Sequence, residues 1–325
     1  MKLTLFIFCY ERPHYLKRQL EIFNKLNLKA YVYILDGSKN ILKKKQIKNL
    51  SEIYNCKYFH EVSYNNRVLF IKNVLETEYF AYCSDDDVVD PNYYIQATNF
   101  LEKNKDYSAV SGKTISLQYK KKFPFLGFRL VHHLNQKYNT TSQDFIEKWK
   151  IIDEAYLNGA PPIYYAVKRK ECYFKLEGYV KYLKFAIFIE QLDKITTLLI
   201  GKIKTLDVFM CLRDYSVGSI IYEEREPVEN LSFKKDEEIL SKIINENFDD
   251  ENYKKKASEL ILQSYKKKTK TNDKILGFKG NILKIIYNVI LNYFLNIVPF
   301  GINHEFYKVF KKCHIELSKK FNKSF

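Results

Sequence analysis

Residues Tyr79–Pro91 read YFAYCSDDDVVDP: five mostly apolar residues, a serine, three consecutive aspartates, two valines and Asp-Pro. The opening run predicts a buried strand over 79–83, and the closing dipeptide predicts a helix, with Asp90 as N-cap and Pro91 at N1 before 92–101. Three carboxylates side by side repel one another unless a cation or hydrogen-bond donors compensate them. Carboxylate oxygens are also the ligands preferred by hard divalent ions, so the cluster is a candidate site for Mn²⁺ or Mg²⁺. A solvated acidic turn that caps the next helix is the other reading.

The flanking sequence repeats the same alternation. Leu3–Cys9 is strand-like, and Pro13 opens a helix whose apolar residues Tyr15, Leu16, Leu20, Phe23 and Leu26 recur at helical spacing. Residues 30–35 predict a second strand closing on Asp36-Gly37-Ser38, followed by a lysine-rich helix over 41–54. A short strand near 58–62 and a helix over 67–75 lead to the acidic run. Strands and helices in alternation, with no tight hairpin signal, imply an α/β fold around a mostly parallel sheet. In such sheets ligands bind beyond the carboxyl ends of the strands. Three of those ends carry polar groups: Tyr10-Glu11-Arg12, Asp36-Gly37-Ser38 and Asp85-Asp86-Asp87. They are expected to line one crevice.

Composition sets the class. The chain has 325 residues, 46% hydrophobic and 16% aromatic, enough for a large packed core. Its net charge of +16 is uneven: from Lys254 onward there are 16 lysines against four acids, a surplus of 12, which leaves +4 for the first 253 residues. The basic end suits an anionic partner or is a solvated lysine-rich face. The six cysteines show no CxxC or zinc-like spacing and read as reduced thiols. MKLTLFIFCYERP reads as a first strand rather than an export signal.

Taken together, FIFCYERPHYLKRQLE (6–21), YVYILDGS (31–38), NNRVLFIKNVLETEYFAYCSDDDVVDP (65–91) and FIEQLDKITTLLIGKIKTLD (188–207) resemble family 2-type glycosyltransferases of the GT-A fold. The resemblance covers about residues 1–215 and implies a Rossmann-like nucleotide-sugar-binding and catalytic domain at 1–230. A helical, lysine-rich region at 231–325 follows. It implies that Tyr10 and Glu11 line the base and ribose end, that Asp36 contacts the nucleobase, and that Asp85 and Asp86 approach the nucleotide. Asp87, with Asp85, would hold Mn²⁺ or Mg²⁺. Arg67 falls where relatives keep polar residues near the nucleotide, although a plain helix-start arginine fits as well. Asn158–Tyr165 resembles the segment that meets donor sugar and acceptor, or is a Pro-Gly turn into a core strand.

The expected base departs from the family pattern. Relatives often carry Glu-Asp, whereas Phe188–Asp193 reads FIEQLD and places Gln191, which cannot accept the proton, at the customary position. Glu190 comes first as its substitute, with Asp193 beside it; three residues apart on a helix, both are expected to face the crevice. Two surface acids favourable to the helix dipole are the alternative. Arg213 either supports the leaving diphosphate or pairs with Asp214.

In the basic region, Lys284, Asn288, Asn292 and Asn296 form a narrow polar stripe beside the apolar run Ile285–Phe300. That run is short for a membrane span, and predicts either an interfacial helix on an anionic membrane or a helix packed on protein. The resemblance as a whole implies a metal-dependent, inverting transfer from a nucleoside-diphosphate sugar, UDP foremost, to a glycan or lipid-linked acceptor in surface-polysaccharide synthesis. The expected location is the cytoplasm, peripheral at the inner face of the membrane. The alternatives are a sugar-phosphate nucleotidyltransferase, for which the glycine-rich phosphate loop is missing, and a basic nucleic-acid-binding protein. No RRM, KH or zinc motif supports the latter, so no nucleic-acid partner is expected.

Overall fold

The computed structural model describes residues 2–119, 129–134, 139–157, 163–183, 186–214, 234–275, 305–310 and 312–313. Nearly continuous apolar runs form its central strands because both faces of the sheet are covered. β1 (Leu3–Cys9) is buried along its whole length. It lies between β2 (Tyr31–Asp36) and β4 (Tyr79–Ser84), parallel to both, and β3 (Lys57–His60) pairs parallel with β2 on the outside.

Beyond β4 the sheet becomes mixed. β8 (Val167–Arg169) runs antiparallel to both β4 and β6 (Tyr107–Tyr119), and β6 runs parallel to β9 (Lys202–Asp214). The order is β3-β2-β1-β4-β8-β6-β9-β5, with β7 (Arg129–Leu134) antiparallel to β6. β5 is the valine pair Val88–Val89, antiparallel to β9. It went unrecognised in the sequence because two residues carry no periodicity.

The helices begin where their capping chemistry sits. α1 (Pro13–Lys25) starts at Pro13, and in α2 (Ile41–Ile53) the Asn40 side chain accepts from the Leu42 and Lys43 amides. α3 (Tyr64–Phe70) begins three residues before the expected start, because the Ser63 hydroxyl accepts from the Asn66 amide. In α4 (Pro91–Lys103) Asp90 caps the Asn92 amide, as its sequence predicts. α5 (Phe145–Leu157), α6 (Lys170–Val180) and α7 (Ala186–Ile200) complete the packing of this part of the chain.

Two helices of the basic region, α8 (Lys234–Asn245) and α9 (Glu251–Ile275), join the same core through Leu240, Ile243, Ile244, Ala257 and Ile261. Tyr253 donates its hydroxyl proton to Asp144 at 2.6 Å, and the Trp149 indole donates to Ser264 at 3.0 Å. Further on, Phe306, Phe310 and Cys313 pack on Ile22, Val88, Phe209 and Leu212. The apolar run Ile285–Phe300 lies outside the described residues. No described helix is long and apolar enough to cross a membrane.

One close approach fixes the pairing of the two long strands. At Gly112 the β6–β9 register shifts, and a Cβ there would stand 2.7 Å from the Met210 Cβ and 2.9 Å from the Val208 carbonyl oxygen. Gly112→Ala is therefore expected to destabilise the protein by about 1–3 kcal/mol through overpacking. Urea unfolding checks it: a lower midpoint with an unchanged slope is expected, and an unchanged midpoint would show that β9 yields without cost.

Candidate active site

The carboxyl ends of β1, β2 and β4 meet at one place, as parallel pairing of these three strands requires. The Asp85 amide donates to the Phe8 carbonyl, and the Gly37 amide donates to the Cys9 carbonyl. The acidic turn is thereby held against the turns that follow β1 and β2.

Cations answer the repulsion among its carboxylates. The Arg12 guanidinium spans two of them, with Nη2 donating to Asp85 at 2.5 Å and Nη1 to Asp86 at 2.6 Å. Asp85 also accepts from the Tyr10 amide at 3.2 Å, so both its oxygens carry protein donors. Its side chain has no exposure, and burial pushes the carboxyl up to about 7 against the opposing pull of Arg12. Arg18, itself buried, donates to the Asp86 carbonyl at 2.5 Å. Asp87 faces Arg213 at 3.4 Å because the β5–β9 ladder sets Val88 opposite Leu212. Arg213 lies 5.4 Å from the Tyr165 ring centroid.

The other expected residues are placed as follows. Glu11 adopts φ 58 and its carboxylate accepts from the Lys39 and Asn40 amides at 2.7 and 2.8 Å, bracing the entry to α2. Its own amide donates to the Ser38 hydroxyl at 2.9 Å. Asp36 is buried, accepting from the Ser38 amide and the Tyr58 hydroxyl, each at 2.8 Å. Tyr10 stands half-buried at the mouth.

Arg67 is neither at a helix start nor in the open. It is buried in α3, and its Nη1 donates to the carbonyls of Cys9 at 3.2 Å and Leu35 at 3.1 Å. The guanidinium passes so close to Gly37 that a Cβ there would meet Nη2 at 2.6 Å. Arg67 thus clasps the ends of β1 and β2 from beneath.

The structure separates Glu190 from Asp193. Glu190 is exposed at the start of α7, and its charge acts on the buried phenols of Tyr64 and Tyr164, whose hydroxyls are 2.9 Å apart. Gln191 is buried, and Asp193 points into the core, where it accepts from Lys168 at 2.7 Å. Lys168 also donates to the Tyr164 carbonyl at 3.1 Å, and its ammonium is 4.7 Å from the Tyr82 ring centroid. The expectation that both acids face the crevice therefore fails for Asp193: the offset of roughly 60° between residues i and i+3 suffices to put Glu190 in solvent and Asp193 on Lys168.

Of 158–165, the first five residues lie outside the described residues. Ile163–Tyr165 form a buried 3-10 turn whose Tyr165 hydroxyl lies 3.0 Å from Ser84 Oγ. Arg18, Lys168 and Tyr58 were not singled out from sequence, and Arg12 was placed at the crevice without its role as counterion to the acidic turn. The signal was faint: an arginine ending the first strand's turn beside an acidic run is a candidate counterion, but the pairing of β1 with β4 is what brings them together.

For a divalent ion the donor set divides. Among the described residues no group of three or more His, Cys, Asp or Glu side chains is arranged to hold a metal. Asp86 and Asp87 supply hard oxygens beside the crevice, with Asp86 still 18% exposed, so an ion fits them. Asp85, engaged on both oxygens, fits that role less well than the motif implies.

This geometry has counterparts among solved structures. Residues 1–349 of S. aureus TarS, a GT-A glycosyltransferase, in complex with UDP-GlcNAc, align with 90% of this chain and 82% of that one, at a TM-score of 0.58 and 16% identity. The chain has the GT-A fold. A longer TarS chain aligns over 78% of this one at a TM-score of 0.53 and 15% identity, and only 41% of TarS is covered. No protein-family model and no curated protein matches the sequence. The GT-A architecture accounts for the mixed sheet flanked by helices.

The Lys168–Asp193 pair lends itself to a direct test. Removing one partner of a buried ion pair costs about 3–5 kcal/mol because a charge is left uncompensated. Lys168→Met should lose stability on that scale. Burial already raises the Asp193 carboxyl, and without Lys168 the folded protein holds that proton further above the unfolded value. The deficit should therefore be smallest near pH 4 and grow as pH rises. Urea denaturation across pH 4–8 checks it, with Lys168→Met/Asp193→Leu recovering most of the loss; a pH-independent deficit would sink this account.

Proposed function

We propose that this protein is a glycosyltransferase that moves a sugar from a nucleoside-diphosphate sugar, UDP foremost, to a hydroxyl of a glycan or lipid-linked acceptor, with inversion at the anomeric carbon. The observation that carries the reading is the meeting of Tyr10, Asp36 and Asp85–Asp87 at one strand-end crevice in a GT-A fold. The similarity to TarS, whose structure includes UDP-GlcNAc, supports a UDP-sugar donor.

In this reading Tyr10, Glu11 and Asp36 form the base and ribose end of the donor site. Asp85, fixed by Arg12, sets the position of the turn. Asp86 and Asp87 would hold Mn²⁺ or Mg²⁺, which when bound offsets the charge of the diphosphate. Arg213, held beside Asp87 and Tyr165, adds a fixed cation for the leaving group. Glu190, exposed above the Tyr64–Tyr164 pair, takes the acceptor hydroxyl proton as the new glycosidic bond forms and the bond to the diphosphate breaks. Asp193 does not touch substrate; with Lys168 it positions the middle of α7 and the Tyr164 backbone.

The role in surface-polysaccharide synthesis at the inner face of the cytoplasmic membrane, through the basic region, rests on the family resemblance and on the sequence pattern of 254–325. That region is not a removable arm. Tyr253, Ala257, Ile261 and Ser264 pack on or bond to the catalytic core, so a truncation before Tyr253 would expose it.

Asp87→Ala should abolish the Mn²⁺ dependence of UDP binding while the protein stays folded, because the Arg213 partner it leaves is partly exposed and can be solvated. Calorimetric titration of UDP with and without Mn²⁺ decides; equal affinities for parent and variant would remove Asp87 from the metal site. Glu190→Gln should lower kcat at least about 100-fold with little change in donor binding. UDP release over a panel of UDP-sugars and acceptors reads it out. If the parent transfers none of the sugars, the reading itself fails; if Glu190→Gln keeps full kcat, the base lies elsewhere.

A further inference from the structure

The most exposed large apolar side chains in the described part of the protein are adjacent. Ile41 is 79% exposed and Leu42 71% exposed, in the first turn of α2. The buried face of that helix is Ile47, Leu50 and Ser51. Ile41 and Leu42 belong instead to its outer surface, and helix stability does not explain them.

Their place in the fold is specific. α2 follows directly on β2, whose carboxyl end supplies Asp36, and the Glu11 carboxylate pins the two amides that lead into it. Val62, 44% exposed, follows β3, the parallel neighbour of β2, so it emerges at the same end of the sheet. The three apolar residues thus share the rim of the crevice.

The sequence around Ile41 and Leu42 carries charge of one sign. Lys39-Asn40-Ile41-Leu42-Lys43-Lys44-Lys45-Gln46-Ile47-Lys48 holds five lysines and no acid. Lys39, Lys43, Lys45 and Lys48 are exposed, and Lys43 also pairs with Glu11 at 3.6 Å. Exposed aliphatic side chains among lysines match the chemistry of an anionic bilayer, which offers acyl chains beneath negative headgroups. A soluble polyanion would engage the lysines and leave Ile41 and Leu42 in water.

We propose that the first turn of α2, with Val62 beside it, docks on an anionic lipid bilayer through inserted Ile41 and Leu42 ringed by Lys39, Lys43, Lys44, Lys45 and Lys48. The crevice then opens at the membrane surface. This contact goes beyond the proposed activity and is separate from the basic region at 254–325, which is distant in sequence and lies after α8.

The test uses the full chain and vesicles of phosphatidylglycerol and phosphatidylcholine. The native protein has one tryptophan, the fully buried Trp149, so Leu42→Trp adds a reporter whose signal is read against the parent. With anionic vesicles the introduced indole should shift to the blue and be quenched by brominated lipid. Ile41→Asp/Leu42→Asp should weaken vesicle flotation by about 10-fold or more, and Lys43→Glu/Lys45→Glu should weaken it chiefly at low salt. Flotation that is unaltered by the Asp variant, with an unquenched indole, would assign the membrane to the basic region alone and overturn the proposal. So would a full chain that fails to float, or one that binds dextran sulfate but no vesicle. None of these readouts uses sugar transfer, so the outcome is independent of the activity.

Discussion

The fork of Arg12 on Asp85 and Asp86 is the contact on which the site depends. Three adjacent carboxylates at the end of a buried strand would drive the turn outward into water, and two hydrogen bonds from one planar cation hold it in place. Arg12 is the residue before α1, so the same contact fixes where α1 begins relative to β4. Arg18, one and a half turns on, reaches the Asp86 carbonyl, and the helix is tied to the acidic turn twice. The result is a preorganised acidic edge whose charge is spent internally at Asp85, set against Arg213 at Asp87 and partly exposed at Asp86.

Beneath that edge a second arginine does comparable work on the backbone. Arg67 takes the carbonyls of Cys9 and Leu35 at the ends of β1 and β2, the former shared with the Gly37 amide, and Gly37 leaves room for its guanidinium. Arg12 and Arg67 stand on opposite sides of the β1 terminus: one compensates side-chain charge, the other compensates backbone acceptors. A lysine, with a point charge and no fork, would reproduce neither arrangement.

Much of the first hundred residues was legible because its signals are local. Pro13, Asn40, Asp90 and Pro91 mark helix starts, and the apolar runs at 3–9, 31–36 and 79–84 are long enough to announce strands. What stayed hidden depends on pairing across the sheet. Val88–Val89 is a strand only because β9 lies beside it, and Arg213 meets Asp87 rather than serving as a surface charge only because that ladder sets the register. Glu190 and Asp193 illustrate the same limit: their spacing defines a helical turn, but which residue faces water is decided by Lys168, contributed by a strand 25 residues earlier. The burial of Arg67 stayed hidden for this reason too, since a charged side chain lying under two strand ends leaves no periodic trace in sequence.

The shortest internal strand has a consequence for how the chain can assemble. β8 is three residues long and runs antiparallel between β4 and β6, the seam where the parallel half of the sheet meets the long β6–β9 pair. It finds ladder partners only when both neighbours are in place, and Tyr93 joins it from above by donating its hydroxyl to Val110 and accepting from the Val167 amide. The parallel half of the sheet is itself closed by a long-range pairing, Leu3 opposite Tyr79, and the seam adds a second, Tyr79 opposite Arg169. Lys168 arrives with β8. The segment that closes the sheet therefore also carries the cation that Asp193 meets, so the seam and the placement of α7 stand or fall together.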